Sequence, residues 1–281
     1  MASTPPPARP RSAAKAGAKP GSTREQIERR ERFTRARRES LRPAEADGPA
    51  ILYGWHTVTA ALRNPARHVR KLLATENAAR RLAADGIPAA PEVVRPSAID
   101  ERLLPDAVHQ GLYLETDPLP SPAIADLPAD ALVLALDQIT DPHNVGAIFR
   151  SAAAFGAAAI ITTERHSPDA AGALAKAASG ALEVVPLVTV QNLARALAEL
   201  RGRGFLLVGL DSGGDSDLAD LRLRAPLALV LGAEGKGLRQ LTRETCEKLA
   251  RIDVPGAIKS LNVSNAAALS LYVASRALAG R

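Results

Sequence analysis

The run Leu132-Val133-Leu134-Ala135-Leu136-Asp137-Gln138-Ile139-Thr140-Asp141-Pro142-His143-Asn144-Val145-Gly146-Ala147-Ile148-Phe149-Arg150 passes from one kind of local structure to another. Its first five residues are apolar without polar alternation, as in a strand buried on both faces. A polar stretch from Asp137 to Asn144 interrupts it, and helical spacing takes over across 145–155. A doubly apolar strand, a polar loop and a helix form the repeating unit of a parallel α/β sheet covered on both sides.

The alternation continues downstream. Strands are expected near 132–136, 158–162, 182–187, 205–210, 227–231 and 249–254, and helices over 145–155, 193–201 and 262–279. Ligands of such sheets bind beyond the carboxyl ends of the strands.

Upstream, residues 50–117 read as a smaller α/β unit. Tyr53-Gly54-Trp55-His56 leads into a helical pattern at Val58 and Leu62, a strand follows around 69–73, and Gly111-Leu112-Tyr113-Leu114 reads as the last strand. Asp117 to Pro128 contains four prolines, so 118–129 reads as a linker by composition. The expected organisation is a tail without stable structure over 1–49, the small unit over 50–117, the linker, and the main α/β domain over 130–281.

The hydrophobic fraction of 46% supports a buried core. No apolar run reaches the roughly 20 residues that span a bilayer, so no membrane association is expected and the cytoplasm is the expected compartment. Cys246 is the only cysteine, which excludes an intramolecular disulfide and a Cys-rich metal site. The net charge is +6, and residues 1–50 carry 12 Lys and Arg against 6 Asp and Glu, leaving 24 against 24 elsewhere. A basic segment beside a neutral body suits attraction to a polyanion; a tail that only keeps the chain soluble is the alternative. Between Thr23 and Leu41, pairs such as Glu25 with Arg29 and Glu28 with Arg32 support a transient helix.

Three strand-to-helix loops carry more polar and glycine residues than a connection needs. In the first, Asn144 sits where a helix N-cap would, a role worth about 1 kcal/mol, and a functional role is equally open. Arg150 follows six residues later among alanines, either as a group directed at the helix N-terminus or as one half of an ion pair. In the second, Leu231-Gly232-Ala233-Glu234-Gly235-Lys236-Gly237-Leu238, the glycine spacing matches neither the phosphate-binding P-loop nor the dinucleotide fingerprint. It leaves a loop whose backbone can approach a ligand closely, with Glu234 available to hold a cation or cap backbone. The third, Ile252-Asp253-Val254-Pro255-Gly256-Ala257-Ile258-Lys259-Ser260-Leu261-Asn262-Val263-Ser264-Asn265, offers Ser260 or Asn262 as a cap and more amides and hydroxyls than one cap uses.

Together the segments D-P-H-N-V-G-A-I-F-R, L-G-A-E-G-K-G-L and S-L-N-V-S resemble, in order and spacing, the three motifs of the SpoU/TrmH family of the SPOUT superfamily of methyltransferases. The stretch from His166-Ser167-Pro168 to Ser179-Gly180-Ala181 is similar to the subgroup that methylates a guanosine of large-subunit ribosomal RNA, and G-W-H-T-V-T-A-A-L with His109-Gln110-Gly111 resembles that subgroup's RNA-binding domain, itself similar to certain ribosomal proteins. The resemblance implies S-adenosylmethionine-dependent 2′-O-methylation of RNA, with transfer RNA as an alternative substrate and a non-catalytic ribosome-assembly factor as a rival reading. It implies a deep trefoil knot, and a homodimer whose site is completed across the interface. Carried over by position, Gly232, Ile252 and Leu261 hold the adenosyl group through backbone atoms, while Asn144, Arg150, Glu234, Ser260 and Asn262 form the catalytic cluster. No metal is implied. Because a guanidinium stays protonated in proteins, Arg150 is expected to act as an electrostatic clamp, with Glu234 orienting Arg150 or a neighbouring amide. The family usually has proline where this chain has Asp253, a departure that bears on the rigidity of the third loop.

Overall fold

The computed structural model describes residues 48–258 and 260–280. The tail over residues 1–47 and the transient helix within it lie outside the described residues.

β1 (Ala50–Tyr53), α1 (Trp55–Arg63), β2 (Val69–Ala74), α2 (Glu76–Ala84), β3 (Glu92–Val93), α3 (Pro96–Asp100) and β4 (Leu112–Thr116) surround a four-stranded sheet of order β1-β4-β2-β3. β4 runs antiparallel to β1 and β2, and β3 runs parallel to β2. Gly54 begins α1 at φ +87°, a left-handed conformation that favours glycine. α2 starts where the Thr75 hydroxyl accepts from the Ala78 N–H.

From residue 132 onward the elements are β5 (Leu132–Asp137), α4 (Pro142–Ala154), β6 (Ala159–Thr163), α5 (Gly172–Ala178), β7 (Leu187–Val190), α6 (Leu193–Gly202), β8 (Leu206–Leu210), β9 (Ser216–Asp217), β10 (Leu227–Gly232), α7 (Gln240–Thr245), β11 (Lys248–Arg251) and α8 (Val263–Leu278). Their strands form one seven-stranded parallel sheet, β7-β6-β5-β10-β8-β11-β9. The period of two along each strand divides the core. Leu132, Leu134 and Leu136 pack with Ile148 and Phe149 of α4 and Leu271 of α8 on one face. Val133 and Ala135 pack with Leu193, Leu197 and Leu200 of α6 on the other. Each such large side chain, taken wholly from water, contributes about 1.5–3 kcal/mol.

The chain extends the first-face core into the small sheet, where Leu52, Trp55 and Leu114 join the same cluster. The Thr57 hydroxyl donates to the Ala175 carbonyl at 3.1 Å, and Lys176 Nζ donates to Gln110 Oε1 at 2.8 Å. The proline-rich segment is pinned as well. Ile124 and Leu127 are buried, and the Arg203 guanidinium donates to both their carbonyls, the second at 2.6 Å.

Three expectations are corrected. The strand expected over 182–187 forms only from its last residue onward: Ser179 and Gly180 take left-handed conformations that end α5, Ala181–Glu183 forms a 3-10 turn, and β7 begins at Leu187. The run's apolar residues bury Leu182 without pairing in the sheet. The last strand stops at Arg251, so 252–254 belong to the loop beyond it. Asn144 is not an N-cap, because Asp141 caps α4 by accepting from the His143 N–H, with Pro142 in the first turn.

Candidate functional site

The second and third motif loops meet at the carboxyl ends of β8, β10 and β11, beside the loop that follows β8. A cavity of about 280 Å³ opens there, lined by Gly232 and Glu234 of the second loop and by Ile252, Ser260 and Leu261 of the third. Its walls are apolar at Leu231, Val263 and Ala266, while Asp211 and Ser212 add polar atoms from the loop after β8. These last two were not anticipated. The signal was present as Asp-Ser-Gly-Gly directly after an apolar strand.

Local sequence shapes this cavity. The second loop folds back so that Ala233 and Gly237 form a bridge, the Gly237 N–H donating to the Ala233 carbonyl at 2.8 Å. A Cβ on Gly232 would lie 2.2 Å from the Gly237 carbonyl carbon, so the close return of the backbone depends on glycine. Asp137, fully buried at the end of β5, accepts from the Arg239 backbone N–H at 2.9 Å and from its Nε at 2.6 Å. This pair fixes the far end of the loop to the neighbouring strand.

Glu234 Oε1 accepts from the Val263 N–H at 3.0 Å, so its carboxylate ties the second loop to the start of α8. Asn262 caps that helix through its Oδ1, which accepts from the Ser264 N–H, while its Nδ2 donates to Asn144 Oδ1 at 3.0 Å. First, second and third motifs are thus joined by two hydrogen bonds. The expected partnership of Glu234 with a neighbouring amide is seen as a bond to backbone, and Arg150 takes no part in it. Arg150 is exposed on α4 and makes no hydrogen bond or ion pair with another described residue. At about 100° per residue it points roughly 120° around the helix from Asn144. Neither the ion pair nor convergence with Asn144 on one cavity is formed within the chain.

Asp253 stands where proline is usual, and the structure supplies a different restraint. Its N–H donates to Asp217 Oδ2 at 2.7 Å, which a proline could not do. Its carboxylate accepts from Arg251 Nε and Nη2 at 2.7 and 3.2 Å. The bond to Asp253 is the main reason the Arg251 guanidinium holds its proton more tightly than usual.

A larger cavity of about 430 Å³ lies beside Asn64, Arg67, Leu119, Asp169 and Glu183. None of the motif residues lines it, so its size does not make it the reactive centre; burial raises the Asp169 carboxyl above its ordinary value. Among the described residues no cluster of three or more His, Cys, Asp or Glu side chains is placed to hold a metal ion, and no helix is long and apolar enough to cross a membrane.

The family model described as SpoU rRNA Methylase matches residues 131–272. The chain is 40% identical over 236 residues to a 23S rRNA (guanosine-2′-O-)-methyltransferase RlmB of Ralstonia nicotianae, covering 80% of this chain and 95% of that relative. It is also 40% identical to an enzyme of the same name from Pseudomonas aeruginosa, covering 79% of this chain and 94% of the other. Among solved structures, the SpoU methyltransferase AviRb from Streptomyces viridochromogenes in complex with the cofactor AdoMet aligns at a TM-score of 0.71 and 26% identity, over 89% of this chain and 97% of that one.

Proposed function

The chain belongs to the SpoU rRNA methylase family, and we propose that it transfers the methyl group of S-adenosylmethionine to the ribose 2′-hydroxyl of a guanosine in 23S ribosomal RNA. The observation that carries the site assignment is the meeting of Gly232, Glu234, Ile252, Ser260 and Leu261 around one cavity, with Asn144 bonded to Asn262 across the loops. The cavity fits the cofactor's chemistry: apolar walls suit an adenine ring, and loop backbone held close by Gly232 offers amides and carbonyls to its edges.

S-adenosylmethionine supplies an electrophilic sulfonium methyl group. The protein has to place a ribose oxygen in line with that carbon, and alignment accounts for most of the acceleration. Asn144, Ser260 and Asn262 position the ribose and the cofactor; Glu234 holds the second loop against α8. Arg150 stabilises the charge developing on the ribose oxygen and engages a substrate phosphate, while the proton leaves through phosphate or water.

The site is completed by a second copy. Arg150 lies outside the cavity of its own chain, and His143, Arg150 and Ala154 form an exposed stripe on α4. Beside it Leu269 and Tyr272 of α8 are 45% and 52% exposed, with Tyr272 edge-on to Phe155 at 6.2 Å. A dimer through this face would cover those apolar side chains and place Arg150 at the shared boundary. The deep trefoil knot belongs to the same reading, supported by a strand order that inserts β10 between β5 and β8. So does the assignment of 50–117 as a substrate RNA-binding domain, with 118–129 as its connection to 130–281 and the cytoplasm as the place of action. No metal is required.

The test is methyl transfer from labelled S-adenosylmethionine to 23S ribosomal RNA isolated from cells lacking the gene, followed by mapping of alkali-resistant ribose positions. A single 2′-O-methylguanosine is the expected product. Methylation of a base, of transfer RNA alone, or of nothing would overturn the proposal.

A further inference from the structure

On the same carboxyl edge of the large sheet, on the side of the motif loops away from the cofactor cavity, the ends of β6 and β7, the start of α6 and the segment from Arg239 into α7 border a separate polar cavity of about 180 Å³. It is lined by Thr163, Arg165, Asn192, Leu193, Ala194 and Arg239 among others. Four features of it point the same way.

Thr163 is only 5% exposed, and its hydroxyl has no hydrogen-bond partner. A buried hydroxyl left unpaired is costly, and alternation along β6 puts this side chain on the face of Ile161, where α6 packs. The preceding Thr162 faces the other way and pairs with Ser167, so its hydroxyl is satisfied and that of Thr163 is not. α6 presents its N-terminus to the cavity. Asn192 caps the Arg195 N–H at 3.0 Å, while the N–H groups of Leu193 and Ala194, at the first two helical positions, have no helical carbonyl to bond. Such a terminus carries a partial positive charge and favours anions. Arg239 is held by Asp137 through its backbone N–H and Nε, which leaves its terminal nitrogens free on a fixed guanidinium. Arg165 is exposed and makes no ion pair among the described residues.

We infer that this cavity is a phosphate site that grips the backbone of the RNA substrate away from the reacting ribose. It takes a phosphodiester because a hydroxyl donor, two helix amides and two guanidinium groups converge on it with no acidic side chain on the wall. None of these residues lines the cavity between the second and third motif loops. The inference rests on RNA being the substrate and adds a contact that sets its register.

The test measures binding of a 23S ribosomal RNA fragment to the full chain across a salt series, for the natural protein, Arg165→Ala and Thr163→Val. Arg165 is exposed and unpaired, so its removal leaves the fold intact, and valine preserves the volume of Thr163. Arg165→Ala is expected to weaken RNA binding about tenfold, with the slope of log K against log salt falling by about 0.7–0.9 as one phosphate contact is lost. Thr163→Val should weaken binding about threefold or more with an unchanged slope, since it removes a neutral donor. Both losses should appear in KM for RNA, with S-adenosylmethionine affinity unchanged. Natural RNA affinity and slope in both variants, with binding of inorganic phosphate to the three proteins also unchanged, would overturn the site even where methyl transfer is intact. Loss of inorganic phosphate binding without loss of RNA binding would overturn the RNA assignment in favour of a free anion. Weakened RNA binding in the variants of a protein that transfers no methyl group would sustain the phosphate site and sink the proposed activity.

Discussion

Glu234 accepts a hydrogen bond from the Val263 N–H at 3.0 Å, so the carboxylate of the glycine-rich loop caps the helix that follows the third motif. Replacing it tests whether its role is charge or geometry. Glu234→Gln keeps an oxygen acceptor and should hold stability within about 0.5 kcal/mol, whereas Glu234→Ala leaves the amide open and should cost about 1–2 kcal/mol. Urea unfolding followed by circular dichroism reads both. If the alanine variant matched the natural protein in stability and cofactor affinity, the loop would not depend on this tie.

Arg150 provides the sharpest test of catalysis. Because it is exposed and bonds to nothing else described, Arg150→Ala should leave unfolding and S-adenosylmethionine binding unchanged. Methyl transfer under saturating RNA and cofactor should fall by about 10²–10³-fold, the loss typical of one preorganised charge-stabilising group. Arg150→Lys should recover only part of it, since an ammonium lacks the planar fork. Mixing Arg150→Ala with a chain inactivated at Asn262 should restore activity at one site of each mixed dimer. No recovery in a dimer verified by light scattering would mean that the site is not shared.

What could be read in the sequence divides along physical lines. The large sheet was legible because its strands are doubly apolar and its helices periodic. Leu182 misled that reading, since an apolar residue buried from a 3-10 turn looks the same as one buried from a strand. Asn144 suits a cap as well as a functional role on sequence alone, and the cap position is held instead by Asp141, with Pro142 after it. Gly232, Glu234, Ile252, Ser260 and Leu261 were legible only through the resemblance to the family's motifs, and they line one cavity. Asp211 and the Asp137–Arg239 pair were not, because their partners lie 32 and 102 residues away along the chain.

The small sheet is fixed to the large one by a buried ion pair. Arg67 and Glu183 are 3% and 6% exposed in their side chains and meet at 2.9 Å, with Asn64 Nδ2 adding a bond to the same carboxylate at 2.7 Å. Arg67→Ala would leave Glu183 buried without its counter-charge, at a cost of about 3–5 kcal/mol. A double change to Arg67→Met and Glu183→Leu should recover most of that loss. Denaturant unfolding of the natural protein, Arg67→Ala and the double variant measures it, and a cost below 1 kcal/mol for Arg67→Ala would show that the pair does not hold the sheets together.

Burial, followed by the charge of Asp137, pushes the Cys246 thiol from near 9 up to about 12. Between those values the folded protein keeps a proton that the unfolded chain releases, so this group's contribution to stability is constant below about 9 and declines as pH rises toward 12. Cys246→Ser should flatten that decline. Since the thiolate is the nucleophile, iodoacetamide at pH 8 should label the folded protein far more slowly than the urea-unfolded chain; equal rates would contradict the assigned burial.

Asp253 gives the most specific prediction about cofactor binding, because it replaces a ring constraint with three hydrogen bonds. Its backbone N–H reaches Asp217, and its carboxylate takes a forked contact from Arg251, whose neighbour Ile252 lines the cavity. The ion pair is solvent-exposed and adds little to global stability, so its effect should appear in the ordering of the loop. Asp253→Ala keeps the N–H bond and loses the fork, and S-adenosylmethionine should bind about threefold to tenfold more weakly as the loop must be ordered on binding. Asp253→Pro loses all three bonds but fixes φ near −65°, and should bind more tightly than the alanine variant. Titration calorimetry at low and high salt separates the two restraints: salt should weaken binding by the natural protein and leave the proline variant unaffected. Equal affinity in all three proteins would show that the conformation of this loop does not limit cofactor capture.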